Sequence, residues 1–187
     1  MRRDQLEHAI RTACQVIGHP EVVVVGSESI LGSFTAAQLP SEATMSVEID
    51  ILPLVDDPDE TARLADLIEG VAGEWSPFEE QHGLQHRWGR LGDRHPARWL
   101  ARSLGQGSER EHGPPSGEPQ YTGWCLDKED LCVSKLCAFR EKDQNFVAAL
   151  IDARLVDAEV IAGRLGTAPR RHLPAAERAL AWLAARS

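Results

Sequence analysis

Apolar residues first recur at helical spacing: Leu6, Ile10, Ala13, Cys14 and Ile17 fall on one side of a helix over residues 3–17. The pattern then changes. Glu21-Val22-Val23-Val24-Val25 is a β-branched run with no helical period, which predicts a buried strand ending at Gly26-Ser27. A short helix is expected over 29–38. The run Ser46-Val47-Glu48-Ile49-Asp50-Ile51-Leu52 alternates, so a strand there would turn Val47, Ile49 and Ile51 to a core and Glu48 and Asp50 to the other face. Asp57 and Pro58 then read as an N-cap and first helical position, opening a helix through Gly70. The acids around them suit the positive end of the helix dipole, a better account of the cluster than metal binding.

The second half is patterned differently. Residues 105–120, rich in Gly, Pro and Glu and nearly devoid of apolar side chains, read as a loop over the cleft or between two halves. Tyr121-Thr122-Gly123-Trp124-Cys125-Leu126 reads as a final short strand. Helices are expected at about 128–141, 143–153, 156–165 and 174–186, with Gly166 before Pro169 and Pro174 as punctuation. The pattern predicts an α/β (α+β) fold: a mixed sheet of about four strands flanked by helices, with a helical C-terminal half.

Size and charge narrow the possibilities. A chain of 187 residues, 42% hydrophobic, can bury one good core. No apolar run approaches the roughly 20 residues of a membrane span, and Met1-Arg2-Arg3-Asp4 is not followed by the apolar stretch of a signal peptide. Cys14, Cys125, Cys132 and Cys137 show no C-x-x-C pairing, which favours reduced, mostly buried thiols in a cytoplasmic protein over zinc. His82 and His86 are four apart, but Gly83 between them disfavours a helical zinc pair. A net charge of −9 argues against sequence-blind nucleic-acid binding. It leaves room for a local stripe: Arg87, Arg90, Arg94, Arg98 and Arg102, with Trp88 and Trp99 interleaved, could contact RNA or phosphate, or form a solvated helix face.

The chemistry-bearing residues lie in 26–50. Two carboxylates side by side on a strand repel unless a cation sits between them, and Glu48 with Asp50 would supply hard oxygen ligands for Mg²⁺. The alternative is a wet sheet face. Gly26-Ser27, at a strand-to-helix turn, can offer N–H groups and a hydroxyl to a phosphate. The order (strand, Gly-Ser, helix, strand bearing Glu-x-Asp) sets a triphosphate cradle beside a metal site.

That order resembles the nucleotidyltransferase superfamily with the polymerase-β-like palm, and the resemblance spans residues 20–150 in round numbers. Downstream, Lys135-Leu136, Arg140 and Asp143 look like the lysine-leucine, arginine, aspartate signature of AbiEii-type and MenT-type nucleotidyltransferase toxins. Glu48 stands where an aspartate is commoner, the turn reads Gly-Ser rather than Gly-Gly, and 82–91 carries no carboxylate for a third palm acid. The resemblance implies a palm-like region over 1–104, the loop 105–120, and a final strand with helices over 121–187, forming one unit. It implies a nucleoside triphosphate substrate, Mg²⁺ on Glu48 and Asp50, phosphates on Gly26 and Ser27, and an acceptor at the 3′ end of tRNA. It further implies a toxin restrained by a cognate antitoxin protein.

Lys135, set among Leu131, Leu136 and Ala138, would stabilise the leaving pyrophosphate or snorkel to the surface. Arg140 and Asp143 would sit on neighbouring turns of the same side, either as an ion pair orienting Lys135, with Arg140 near the nucleotide, or with Asp143 as base or metal ligand. Two rival readings are a nucleotidyltransferase acting on a small molecule or protein, and an inactive palm used as a binding module.

Overall fold

The computed structural model describes residues 1–46, 48–55, 57–72 and 121–186, and the backbone alone of 85–88, 111–112 and Arg171. Helix α1 (Arg3–Ile17) buries Leu6, Ala9, Ile10, Ala13 and Cys14, the stripe expected of its apolar spacing, and ends at Gly18 in the left-handed conformation. Strand β1 (Glu21–Val25) follows, then strand β2 (Glu48–Pro53) and helix α2 (Pro58–Ala72). Asp57 caps α2 as its sequence foretold, its Oδ1 accepting from Glu60 N–H at 2.8 Å. Strands β3 (Gln85–Trp88), β4 (Glu111–His112) and β5 (Tyr121–Cys125) complete the sheet.

The sheet is mixed, in the order β3-β2-β1-β5-β4. Central β1 runs antiparallel to β2, with Val25 opposite Asp50, and parallel to β5. Val22 to Val25 are all buried, which is why this strand lacks alternation. β2 alternates as expected at its start, Ile49 buried between half-buried Glu48 and Asp50. Helices α1 and α2 pack side by side against the sheet. At Gly123 of β5 an added Cβ would lie 2.3 Å from Ile10 Cδ1, so the missing side chain is what lets α1 settle.

Helices α3 (Lys128–Ala138), α4 (Glu141–Asp152), α5 (Ala158–Gly166) and α6 (Leu173–Ala184) form the C-terminal half. α3 packs on α4, α5 and α6, and also against the turn after β1. The architecture is therefore α+β, and no described helix is long and apolar enough to cross a membrane.

Three expectations need correction. The helix expected over 29–38 is two short 3-10 segments, Ser27–Gly32 and Ala36–Gln38; Pro40 and the tight Gly26-Ser27 turn leave no room for full α-turns. The helix expected to run to 141 stops at Ala138, because Phe139 takes the left-handed conformation at φ 59° and reverses the chain. The segment read as loop contributes a short strand, Glu111–His112, which brings the sheet of about four expected strands to five. The arginine stripe, save the backbone of Arg87 in β3, lies outside the described residues, as do His82 and Gly83.

Candidate active site at the end of strands β1 and β2

The site grows from one backbone turn. Gly26 has φ 74° and ψ −166°, a region essentially closed to residues with a Cβ. A Cβ there would also fall 2.2 Å from Asp50 Oδ2. Glycine is thus required twice, by conformation and by the carboxylate beside it. The turn is held by Ser29, whose Oγ donates to the Gly26 carbonyl at 2.8 Å. It leaves Ser27 half-buried and facing α3.

Asp50 stands opposite Val25, and Glu48 lies one alternation further out, beyond the last β1 residue, paired with Gln85 of β3. Ser46 secures that end of the strand: its Oγ accepts from Glu48 N–H at 3.3 Å and donates to Glu48 O at 3.2 Å. The two carboxylates therefore share one face, as alternation requires.

From the facing helix, Lys135 of α3 donates from Nζ to Ser27 Oγ at 2.7 Å. The same ammonium lies 3.3 Å from Asp143 Oδ1, with the Lys135 side chain only 11% and the Asp143 side chain 1% exposed. Phe146 offers its ring 5.3 Å below. Arg140, 59% exposed, grips Asp143 with two hydrogen bonds, Nε to Oδ2 at 2.6 Å and Nη2 to Oδ1 at 3.2 Å. Arg140 and Asp143 do not continue the lysine helix; they open α4, and the reversal at Phe139 folds Asp143 back beneath Lys135. The contact expected from one helical period is made instead by a helix hairpin.

Burial pushes the Lys135 ammonium below the ordinary lysine value, while Asp143 and, more weakly, Asp50 pull the other way. With Lys135 and Arg140 both on its oxygens, Asp143 holds Lys135 in place.

One residue here has no counterpart in the sequence reading. Glu28, next to Ser27, is 1% exposed, and its Oε1 has no hydrogen-bond partner. Burial, with a push from Asp50, raises its carboxyl to about 7 against the pull of the Met1 amino group and Lys135. The available signal was a lone acid in Ser27-Glu28-Ser29-Ile30-Leu31, hard against a turn already marked as functional.

Among the described residues, no three His, Cys, Asp or Glu side chains are gathered closely enough to hold a metal by themselves. Mg²⁺ does not need such a cage: it keeps waters and takes one or two carboxylates plus phosphate oxygens. Glu48 and Asp50, on one face beside a turn bearing a hydroxyl, fit that donor set. The four cysteines are free; Cys14, Cys125 and Cys132 are buried, and burial raises the Cys14 thiol to about 12.

No family model matches the chain, and no curated protein or solved structure matches it.

Proposed function

We propose that the protein is a Mg²⁺-dependent nucleotidyltransferase that moves a nucleotide from a nucleoside triphosphate to a hydroxyl acceptor. The observation that carries this reading is the Lys135–Ser27 hydrogen bond, 2.7 Å long between residues 108 apart in sequence. It joins the lysine signature to the Gly-Ser turn and sets both beside Asp50, the three parts the chemistry needs.

Lys135 donates to Ser27 Oγ, so the serine's own hydrogen points away from the ammonium, free for a phosphate oxygen. Ser27 and the backbone of its turn would hold the outer phosphates. Glu48 and Asp50 would hold Mg²⁺, which when bound neutralises charge on the phosphates and favours in-line attack. Lys135 faces the charge that develops on the leaving pyrophosphate. It is already partly desolvated and fixed by Asp143, so little reorganisation is needed in the transition state. Arg140 locks Asp143 from the solvent side, and its exposed guanidinium would contact the nucleotide.

The resemblance of Lys135-Leu136, Arg140 and Asp143 to the nucleotidyltransferase toxins supports the 3′ end of tRNA as acceptor, and with it a cytoplasmic toxin held in check by an antitoxin protein. The test is transfer of labelled nucleotide from each of the four triphosphates into total tRNA with Mg²⁺. Label in tRNA that disappears with EDTA and with Asp50→Ala is expected. Label that goes to protein or small metabolites would move the acceptor and keep the chemistry. Triphosphate that is neither bound nor consumed would end the reading.

A further inference from the structure

Transfer to a hydroxyl leaves a proton to be removed, and the described carboxylates are not equally placed to take it. Glu48 and Asp50 are the pair suited to the cation, and Asp143 is held by Lys135 and Arg140. β3, Gln85-His86-Arg87-Trp88, brings no carboxylate to the sheet end. Glu28 differs from all of these. It is rooted in the same turn as Ser27, 1% exposed, with an oxygen that accepts no hydrogen bond. A buried acceptor without a donor is destabilising, so such an atom asks what donor it meets during function.

We propose that Glu28 is the general base of the transfer read above: its unpartnered oxygen receives the proton of the acceptor's hydroxyl, directly or across one water. The inference rests on the nucleotidyltransferase reading and adds to it the residue that activates the nucleophile. The acceptor oxygen bonds to the α-phosphorus as the bond from that phosphorus to the bridging oxygen breaks. The departing electron pair leaves with pyrophosphate, whose charge Lys135 meets. The hydroxyl proton goes to Glu28 and then to solvent.

The groups acting on the Glu28 charge come from three elements: the Met1 amino group ahead of α1, Lys135 on α3 and Asp50 on β2. A carboxyl raised to about 7 is matched to taking and releasing a proton near neutral pH.

The experiment compares wild type with Glu28→Gln, measuring the pH profile of kcat for transfer into tRNA and, separately, Mg²⁺–triphosphate affinity. Lys142→Ala on the exposed side of α4 is the control. Expected for Glu28→Gln is a rate loss on the order of 10²–10⁴-fold, disappearance of the acid-side limb near pH 7, and nucleotide affinity within about threefold. The proposal is overturned if Glu28→Gln keeps the wild-type limb and rate, or if rate and nucleotide affinity fall together. It is equally overturned if the wild-type profile has no limb between pH 5 and 8, a measurement that needs no variant to fold. Wild type that neither binds triphosphate nor transfers it removes the nucleotidyltransferase reading itself, an outcome distinct from active wild type with an indifferent Glu28.

Discussion

Helix α3 carries two buried charge clusters, and they are built on opposite plans. At its start, Asp127 caps the helix by accepting from Glu129 and Asp130 N–H groups, and Arg164 of α5 bridges Asp127 and Asp130. Burial alone would raise the Asp127 carboxyl, but Arg164 holds it below the usual carboxylate range. Lys128 adds a bond to the Leu155 carbonyl at 2.8 Å and an ion pair with Glu129 at 3.0 Å. Every charge in that cluster has an opposite or a dipole. Further along, Lys135 is displaced downward and Glu28 upward in proton affinity, and a Glu28 oxygen is left without a donor. The first cluster is closed and ties α3 to α5. The second is open in the sense that a buried acceptor is left unanswered, which is the mark of groups shaped for a ligand rather than for each other.

This contrast can be broken most sharply by Lys135→Ala. It should lower transfer by about 10²–10³-fold, the loss of roughly 3–4 kcal/mol of transition-state stabilisation, while the melting temperature stays level or rises. Asp143 keeps Arg140, and one desolvated ammonium is gone. Lys135→Arg should recover only part of the rate, since a planar fork replaces a compact charge. A thermal melt run beside single-turnover transfer checks both halves; loss of stability equal to that at the closed cluster would erase the distinction.

Arg164→Ala should do the reverse. Removing it strands Asp127 and Asp130, and denaturant melts should show about 3 kcal/mol less stability, with transfer by the folded fraction unchanged.

A pH series then sharpens the comparison. Glu28 holds its proton to about 7 in the folded chain but has an ordinary value near 4.5 when unfolded. The folded state therefore binds the extra proton in that window, and stability falls as pH rises through it, remaining lower above it. Glu28→Gln should flatten that fall and be more stable than wild type above pH 7, by about 2–3 kcal/mol at most. Identical stability–pH curves for the two proteins would contradict the open plan of this cluster.

The smallest effect is expected at Lys142, exposed on α4: Lys142→Ala should stay within about 0.5 kcal/mol in stability and leave transfer alone. Lys128 is unsuited to the same control, since it holds the Leu155 carbonyl.

Much of this was legible before the fold was seen, for identifiable reasons. Alternation told which way Glu48 and Asp50 face, and side-chain caps announced α2 through Asp57. Lysine among apolar neighbours drew attention to Lys135, which the structure buries against Ser27 and Asp143. Three features escaped. Phe139 is a poor candidate for a left-handed residue by its own preference, so the break between α3 and α4 had no local signal. The turn after β1 is tightened by Ser29 and by Asp50, a contact between residues far apart in sequence. Glu28 drew no reading from the sequence, because its burial comes from packing of the turn after β1 against β1, β2, β5 and α3, which no window of sequence contains.

The distance along the chain between Ser27 and Lys135 has a consequence for synthesis. A ribosome delivers β1, the Gly26 turn and β2 early, but the lysine that completes the site belongs to a segment made much later, 108 residues after the serine it grips. Closing so long a separation is entropically demanding, and until it happens the carboxylates have no cation to answer them. β5, which lies beside β1, is likewise a late arrival. A nascent chain halted before residue 121 would therefore hold the Gly26 turn and Asp50 without β5 or Lys135. The fold thus joins the two halves of this cluster only after the helix bearing Lys135 has been made.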